Sequence, residues 1–295
     1  MKGSDISKLY SAVKPLMEFD PPFINVTAHR DEIEYRQAAD GTFRQITVTK
    51  RPGSLAIAAA IMRKFPVEVV PHIICGGFTK HEIENLLLDL NFLDIKNVMA
   101  LRGDAVPGEK YYTPTPGGHV HSCSLVKQIR DMNRGIYLDD TLKDAVPTDF
   151  CIGVAGYPEK HCEAANIDID IENLKAKVDA GADYIITQMF FDNGKFFRFK
   201  DKCRAAGITV PIIPGLKPIS TLRHIELLPH AFSIDIPQEL MKELKKCRDH
   251  SEIYAVGIEW CIMQCKELLS RQVPAIHFYT MGKADNIREI IRKAF

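Results

Sequence analysis

The stretch Asn97-Val-Met-Ala-Leu-Arg-Gly-Asp104 runs through mostly apolar residues and then breaks into an arginine, a glycine and an aspartate. A short apolar run of this kind reads as a buried strand with polar groups at its carboxyl end. In α/β proteins built on parallel strands, ligands collect at that end, so Arg102, Gly103 and Asp104 are the first site candidates. The plainer reading is a solvated strand-to-helix turn, with Gly103 for the bend and an Arg102–Asp104 surface pair.

Outward from this stretch, strand and helix alternate along the whole chain. Strands are expected at 23–27, 67–75, 97–101, 150–155, 184–188, 210–216 and 275–279. Between them the spacing predicts helices over Pro52–Phe65, from a Thr79 cap to Leu93, and over Ser122–Asn133, Ile169–Ala180 and Lys195–Ala206. A broken helical region follows from Thr221 to Gln272, with a closing helix to Phe295. The chain opens on a helical pattern, Asp5 to Phe19, interrupted by Pro15, and the polar stretch His29 to Gln45 reads as a long functional loop. This alternation implies an α/β fold with a parallel sheet and helical crossovers. No linker, repeat or low-complexity tract divides it, so one domain over 1–295 is expected. Seven strands are one short of a closed TIM (β/α)8-type barrel, and the strand expected before the first helix is missing.

A doubly wound dinucleotide-binding sheet is the competing architecture. None of the 18 glycines is separated from another by a single residue, and no G-x-x-x-x-G-K-[ST] occurs, which counts against Rossmann and P-loop sites. Lysine plus arginine equals aspartate plus glutamate at 38 each, so the composition suggests no nucleic-acid or anionic-membrane partner. Apolar runs such as Leu55–Met62 are too short to span a bilayer, and the first residues lack the apolar core of a signal peptide; a soluble cytoplasmic protein is expected. The eight cysteines form no C-x-x-C pair and read as reduced, structural thiols. Cys261/Cys265 and His119-x-His121 have ligand-like spacings without further partners, so no metal site is expected.

Polar groups recur at the strand ends: Thr27, His72, Arg102-Gly103-Asp104, Tyr157 with His161, and Gln188. A closed barrel would bring them to one mouth. Each has a plain alternative. His72 suits a hydrogen-bonded core histidine, Gln188 a buried amide satisfied by backbone, Tyr157 simple packing before Pro158, and Asn173/Lys177 a solvated helix face. There is no G-x-S-x-G elbow and no evident Cys–His couple, and the strand runs contain no lysine for a Schiff base. Hydrogen-bonding groups without a nucleophile suit a cofactor that carries the reaction itself.

At this point the residues resemble a known family. Val70-Pro-His72, Ala100-Leu-Arg-Gly-Asp104, Ala155-Gly-Tyr-Pro-Glu-Lys-His161, Asn173-Leu-Lys-Ala-Lys-Val-Asp-Ala-Gly-Ala182, Ile186-Thr-Gln-Met-Phe-Phe-Asp192, Ile213-Pro-Gly-Leu216 and His277-Phe-Tyr-Thr280 are similar to the signature blocks of methylenetetrahydrofolate reductases, in the family's order. The resemblance implies a (β/α)8 barrel with non-covalent FAD at the strand ends. NADH or NADPH gives hydride to the flavin and leaves; methylenetetrahydrofolate then takes its place and is reduced to methyltetrahydrofolate, the methyl donor for methionine synthesis. It implies Thr27 near the nicotinamide, and His72, Arg102, Gly103, Asp104, Tyr157, His161, Asp170, Asn173 and Lys177 around the FAD. It also implies Asp104 at the folate pterin, Gln188 serving nicotinamide and folate, His224 and Lys283 at substrate-contacting positions, and self-association of the protein.

Several positions depart from the pattern: Ala28 replaces an aromatic, Ala176 and Lys283 an arginine, and His224 a glutamine found in some members. The family's first strand carries a general-acid glutamate in a Phe-Glu-Phe-Phe-Pro-Pro-like segment, whereas Met1-Lys-Gly-Ser resembles the segment after it. The chain is therefore expected to be an N-terminally truncated product, or else a paralogue without folate turnover. Loss of general acid catalysis is expected to slow folate reduction by ~10²–10⁴-fold while sparing flavin reduction. No regulation by S-adenosylmethionine is expected, because the regulatory domain of eukaryotic relatives would lie beyond Phe295.

Overall fold

Residues 97–101 form a strand whose Val98, Met99 and Ala100 are buried, and polar backbone begins at Arg102. The structure is a computed structural model that describes residues 5–48, 51–106, 109 and 111–295. It divides into two compact units, Met1–Ile152 and Gly153–Phe295.

The first unit opens with helix α1 (Ile6–Val13), which Asp5 caps by accepting the Ser7 N–H. Pro15 turns the continuation into a 3-10 segment, Lys14–Phe19, that ends on Asp20 at φ 45°. Then follow β1 (Phe23–Val26), β2 (Glu32–Gln37), β3 (Phe43–Val48), α2 (Ser54–Lys64), β4 (Glu68–Ile74), α3 (Lys80–Phe92), β5 (Asn97–Leu101) and α4 (Ser122–Met132). Strand β1 pairs in parallel with β4, Phe23 opposite Glu68, and β4 pairs in parallel with β5, His72 opposite Met99. Helix α2 packs on β4 and α4 on β5. Ala58, Ile61, Val69, Ile73, Leu125 and Ile129 are buried, as parallel strands covered by helices require. The Thr79 cap is a full capping box: its hydroxyl accepts the Glu82 N–H at 3.2 Å and Glu82 accepts the Thr79 N–H at 2.7 Å.

One expectation is corrected here. The polar stretch 29–45 is not a loop, because β2 and β3 form a separate antiparallel hairpin that pairs Glu32 with Val48 and Gln37 with Phe43. Asp40 and Gly41 make its turn: Gly41 adopts φ 83° and Asp40 accepts the Thr42 N–H at 3.0 Å. Tyr35 and Phe43 stay exposed, so no apolar face marks these strands in the sequence.

The next strand, β6 (Cys151–Gly156), starts in the first unit, where the Cys151 N–H donates to the Lys96 carbonyl at 2.8 Å. In the second unit it is followed by α5 (Ile167–Asp179), β7 (Tyr184–Met189), α6 (Asn193–Ala205) and β8 (Ile212–Leu216). Helices α7 (Arg223–Phe232), α8 (Gln238–Lys246) and α9 (His250–Ser270), the short strand β9 (His277–Phe278) and α10 (Asp285–Ala294) complete it. The strands run parallel in the order β6-β7-β8-β9. Met189, Phe191, Ile219, Leu228, Ile234, Leu240, Leu244 and Ile253 form an apolar core beside β7. All seven expected strands of the parallel sheet are present within one to two residues of their predicted bounds. Among the described residues no helix is long and apolar enough to cross a membrane.

Candidate functional site

In the first unit the carboxyl ends of β4 and β5 are tied by backbone bonds, Cys75 N–H to Leu101 O and Gly76 N–H to Arg102 O, both 3.1 Å. Gly103 has φ 86°, a conformation that strains any residue with a Cβ, and it turns the chain away from the strand. This leaves Arg102 partly buried and Asp104 exposed. The Arg102 guanidinium lies over the Tyr112 ring at 4.8 Å from its centroid. A second guanidinium, that of Arg30, lies over the same ring at 5.0 Å from its centroid. Arg30 Nε and Nη2 are buried with no hydrogen-bond partner among the described residues. The arginine fits only because Gly76 has no side chain: a Cβ there would lie 1.8 Å from Arg30 Nη2. Burial pushes the Cys75 thiol up to about 12 against the opposing charge of Arg102, so it is no nucleophile at neutral pH. His72 sits on β4 with its carbonyl accepting the Ser54 hydroxyl at 3.1 Å, and exposed Thr27 places its hydroxyl 3.3 Å from His29 Nε2.

In the second unit, Tyr157 and His161 follow β6 and meet α5, which carries Asp170 in its first turn and Lys177 in its last. The Tyr157 and His161 rings meet edge to face, centroids 4.8 Å apart. Lys177 Nζ lies 5.8 Å from the Tyr157 centroid and donates to the Ala155 carbonyl at 3.0 Å. Asp170 is buried and accepts the His161 N–H. Burial raises its carboxyl above the usual range, while that hydrogen bond and the charges of Lys177, His161 and Lys160 oppose the rise. Asn173, one turn before Lys177, is exposed on α5.

Gln188 closes β7 with its Oε1 accepting the Met189 N–H at 2.9 Å, which leaves Nε2 as a donor. Gln188 shares a shallow hollow with Tyr157, Pro158, Met189, Phe232 and Ile234. Of the two expected substrate positions, Lys283 is exposed and His224 is partly buried, where burial followed by the charges of Lys217 and Lys283 lowers its imidazole.

Three participants were missed in the sequence. Arg30 sits in a polar stretch, where a solvated cation is the default reading, and Tyr112 in a Gly/Pro-rich loop. The third, Lys217, directly follows β8 and is 4% exposed, so a lysine does stand at a strand end although none lies within a strand run. Among the described residues no group of three or more His, Cys, Asp or Glu could hold a metal ion.

Each unit by itself offers donors suited to anionic oxygens, the guanidiniums of Arg30 and Arg102 in the first and the Lys177 ammonium with the His161 ring in the second. The sequence profile of the methylenetetrahydrofolate reductase family matches residues 2–294. Methylenetetrahydrofolate reductase 1 of Schizosaccharomyces pombe is 32% identical over 293 residues, 99% of this chain and 44% of that protein. The 5,10-methylenetetrahydrofolate reductase of Escherichia coli is 30% identical over 278 residues, 94% of this chain and 81% of that protein. The chain thus spans less than half the length of its S. pombe relative. A solved structure from Clostridium thermocellum, of a protein that binds two copies of 5-methyl-5,6,7,8-tetrahydrofolic acid, has the same fold at TM-score 0.57 and 13% identity, covering 98% of this chain and 88% of that one. With a profile match over nearly its whole length, the chain belongs to the methylenetetrahydrofolate reductase family.

Proposed function

We propose that the chain catalyses hydride transfer from NADH or NADPH, through bound FAD, to 5,10-methylenetetrahydrofolate, giving 5-methyltetrahydrofolate. The fold that goes with this reading is a single (β/α)8-type barrel domain to which the seven parallel strands belong. The observation that carries it is the clustering of Tyr157, His161, Asp170 and Lys177, four residues that the family resemblance assigns to the flavin.

The residues present fit FAD. His161 and Lys177 offer donors to pyrophosphate oxygens, Tyr157 offers an aromatic surface, and Arg102 adds a further guanidinium in its own unit. Buried Asp170 fixes the loop that presents His161. Bound there, FAD would supply the two-electron relay between nicotinamide and folate. The resemblance assigns His72 and Gly103 of the first unit and Asn173 of the second to FAD as well, and Thr27 to the nicotinamide.

For the folate, exposed Asp104 can accept paired N–H bonds from an aminopterin, and Gln188 Nε2 can donate to a carbonyl of either nicotinamide or folate. The C. thermocellum protein's methyltetrahydrofolate ligand supports a folate as the substrate class.

The test is product formation. Purified chain, FAD, NADH or NADPH and methylenetetrahydrofolate should yield 5-methyltetrahydrofolate above the enzyme-free rate, and more slowly in Asp104→Ala. No product with either nicotinamide, together with no flavin binding, would refute the reading.

A further inference from the structure

Two guanidiniums of the first unit share one aromatic ring. Arg102 lies 4.8 Å and Arg30 5.0 Å from the Tyr112 centroid. Attraction of a cation to a ring face strengthens as the groups leave water, and all three side chains are partly buried. The Nε and Nη2 of Arg30 are sealed from solvent with no hydrogen-bond partner among the described residues. Burying donors in this way costs folding free energy, and the contact with Tyr112 is what the arginine gains in return.

The arrangement is fixed from several sides. Arg30 fills the room left by Gly76, where a Cβ would lie 1.8 Å from Nη2, and its Cγ comes within 3.3 Å of the place a Cβ of Gly77 would take. The Tyr112 hydroxyl donates to the carbonyl of buried His119 at 3.1 Å. The Thr115 hydroxyl accepts the Gly77 N–H at 3.0 Å, which ties the loop carrying Tyr112 to the turn that seats Arg30. Arg102 leaves β5 just before the Gly103 turn and lays its guanidinium on this held ring. The ring thus sets where the Arg102 donors point, and a flat fork of donors meets phosphate oxygens only in the right direction.

We propose that Arg30 is a positioning residue for the FAD phosphates: packed on Tyr112, it fixes the ring that aims the Arg102 guanidinium, and so sets the preference for FAD over riboflavin. The inference rests on the FAD reading above and adds to it two residues, Arg30 and Tyr112. Arg30 acts through the ring and does not itself touch the flavin. Its flat guanidinium is what the role requires, since an ammonium carries the charge without the planar contact.

The experiment is equilibrium binding of FAD and of riboflavin, which has the same flavin ring and no phosphate, followed by flavin fluorescence. Arg30→Met should lower the preference for FAD over riboflavin by about tenfold, the range of a hydrogen bond to a charged group, with riboflavin affinity unchanged. Arg30→Lys should lose as much. Gly76→Ala, which displaces the Arg30 guanidinium, and Tyr112→Leu, which removes the ring, should reproduce the loss. Arg30→Met in the Tyr112→Leu background should change the preference by no more than about twofold, because the two residues act as a unit. A preference kept by Arg30→Met or by Arg30→Lys overturns the inference and leaves the FAD reading standing. Where the Arg30 variants do not fold, a preference kept by Tyr112→Leu overturns it equally. If the wild-type chain binds neither flavin, the FAD reading falls and the inference falls with it.

Discussion

The backbone N–H of His161 donates to the carboxylate of Asp170 at 2.9 Å, and this bond closes the Tyr157-Pro-Glu-Lys-His161 segment onto the first turn of α5. The strand end and the helix then present Tyr157, His161 and Lys177 together. Asp170→Ala should leave a partly buried N–H without its acceptor and cost about 1–3 kcal/mol in urea unfolding. Asp170→Asn keeps an acceptor and removes a buried charge, so it should lose less stability or none. Flavin affinity should fall in the alanine variant more than in the asparagine variant.

Gly76→Ala tests the seat of Arg30. A methyl 1.8 Å from Nη2 must displace the guanidinium from beside Tyr112. Because the clash falls on the far end of a flexible side chain, the expected stability loss is small, about 1 kcal/mol or less, the low end of overpacking. Arg30→Ala should relieve the clash, so the double variant should be no less stable than Arg30→Ala alone.

Gly103→Ala tests the turn that separates Arg102 from Asp104. At φ 86° an alanine pays about 1–2 kcal/mol of left-handed strain, while the nearest atoms, those of Ile74, are in ordinary contact at 3.5 Å or more. The prediction is a modest stability loss with a larger loss of folate-dependent turnover, read from thermal unfolding and product formation together.

His277 gives a pH prediction. Burial lowers its imidazole to about 4 from the ordinary 6.5. The unfolded chain therefore takes up a proton between these values that the folded chain refuses. Its contribution to stability is complete above pH 6.5 and is lost as the pH falls toward 4. The ring keeps a partly exposed edge, so roughly 3 kcal/mol is an upper limit. Asp170 and Glu159, whose carboxyls burial raises, act with the opposite sign in acid, because the folded chain keeps their protons longer. The difference between wild type and His277→Gln isolates the histidine: urea midpoints compared at pH 7.5 and pH 5 should converge in acid. A constant difference would show that this ring does not titrate as its burial implies.

The seven parallel strands were legible because each is a short apolar run ended by glycine, proline or polar residues, and burial on both faces demands that pattern. The hairpin was not, since Tyr35, Arg36, Phe43 and Arg44 are exposed and give the sequence no apolar alternation; Asp40-Gly41 was the available signal. Tyr157, His161, Asp170 and Lys177 could be named from their motifs, and their contacts follow from β6 leading into α5. Arg30, Tyr112 and Lys217 could not, because a cation in a polar stretch and one buried without a partner look alike in a sequence. Their distinction arises only when Gly76 opens room for one and the segment after β8 covers the other.

The most direct test of the central claim is the absorbance spectrum of the purified chain supplied with FAD, followed anaerobically through addition of NADH or NADPH and then methylenetetrahydrofolate. Retained flavin bands that bleach with the nicotinamide and return with the folate are the expected result. A chain that retains no flavin after reconstitution, and whose Asp170→Ala and Lys177→Ala variants behave no differently from wild type, would contradict the account.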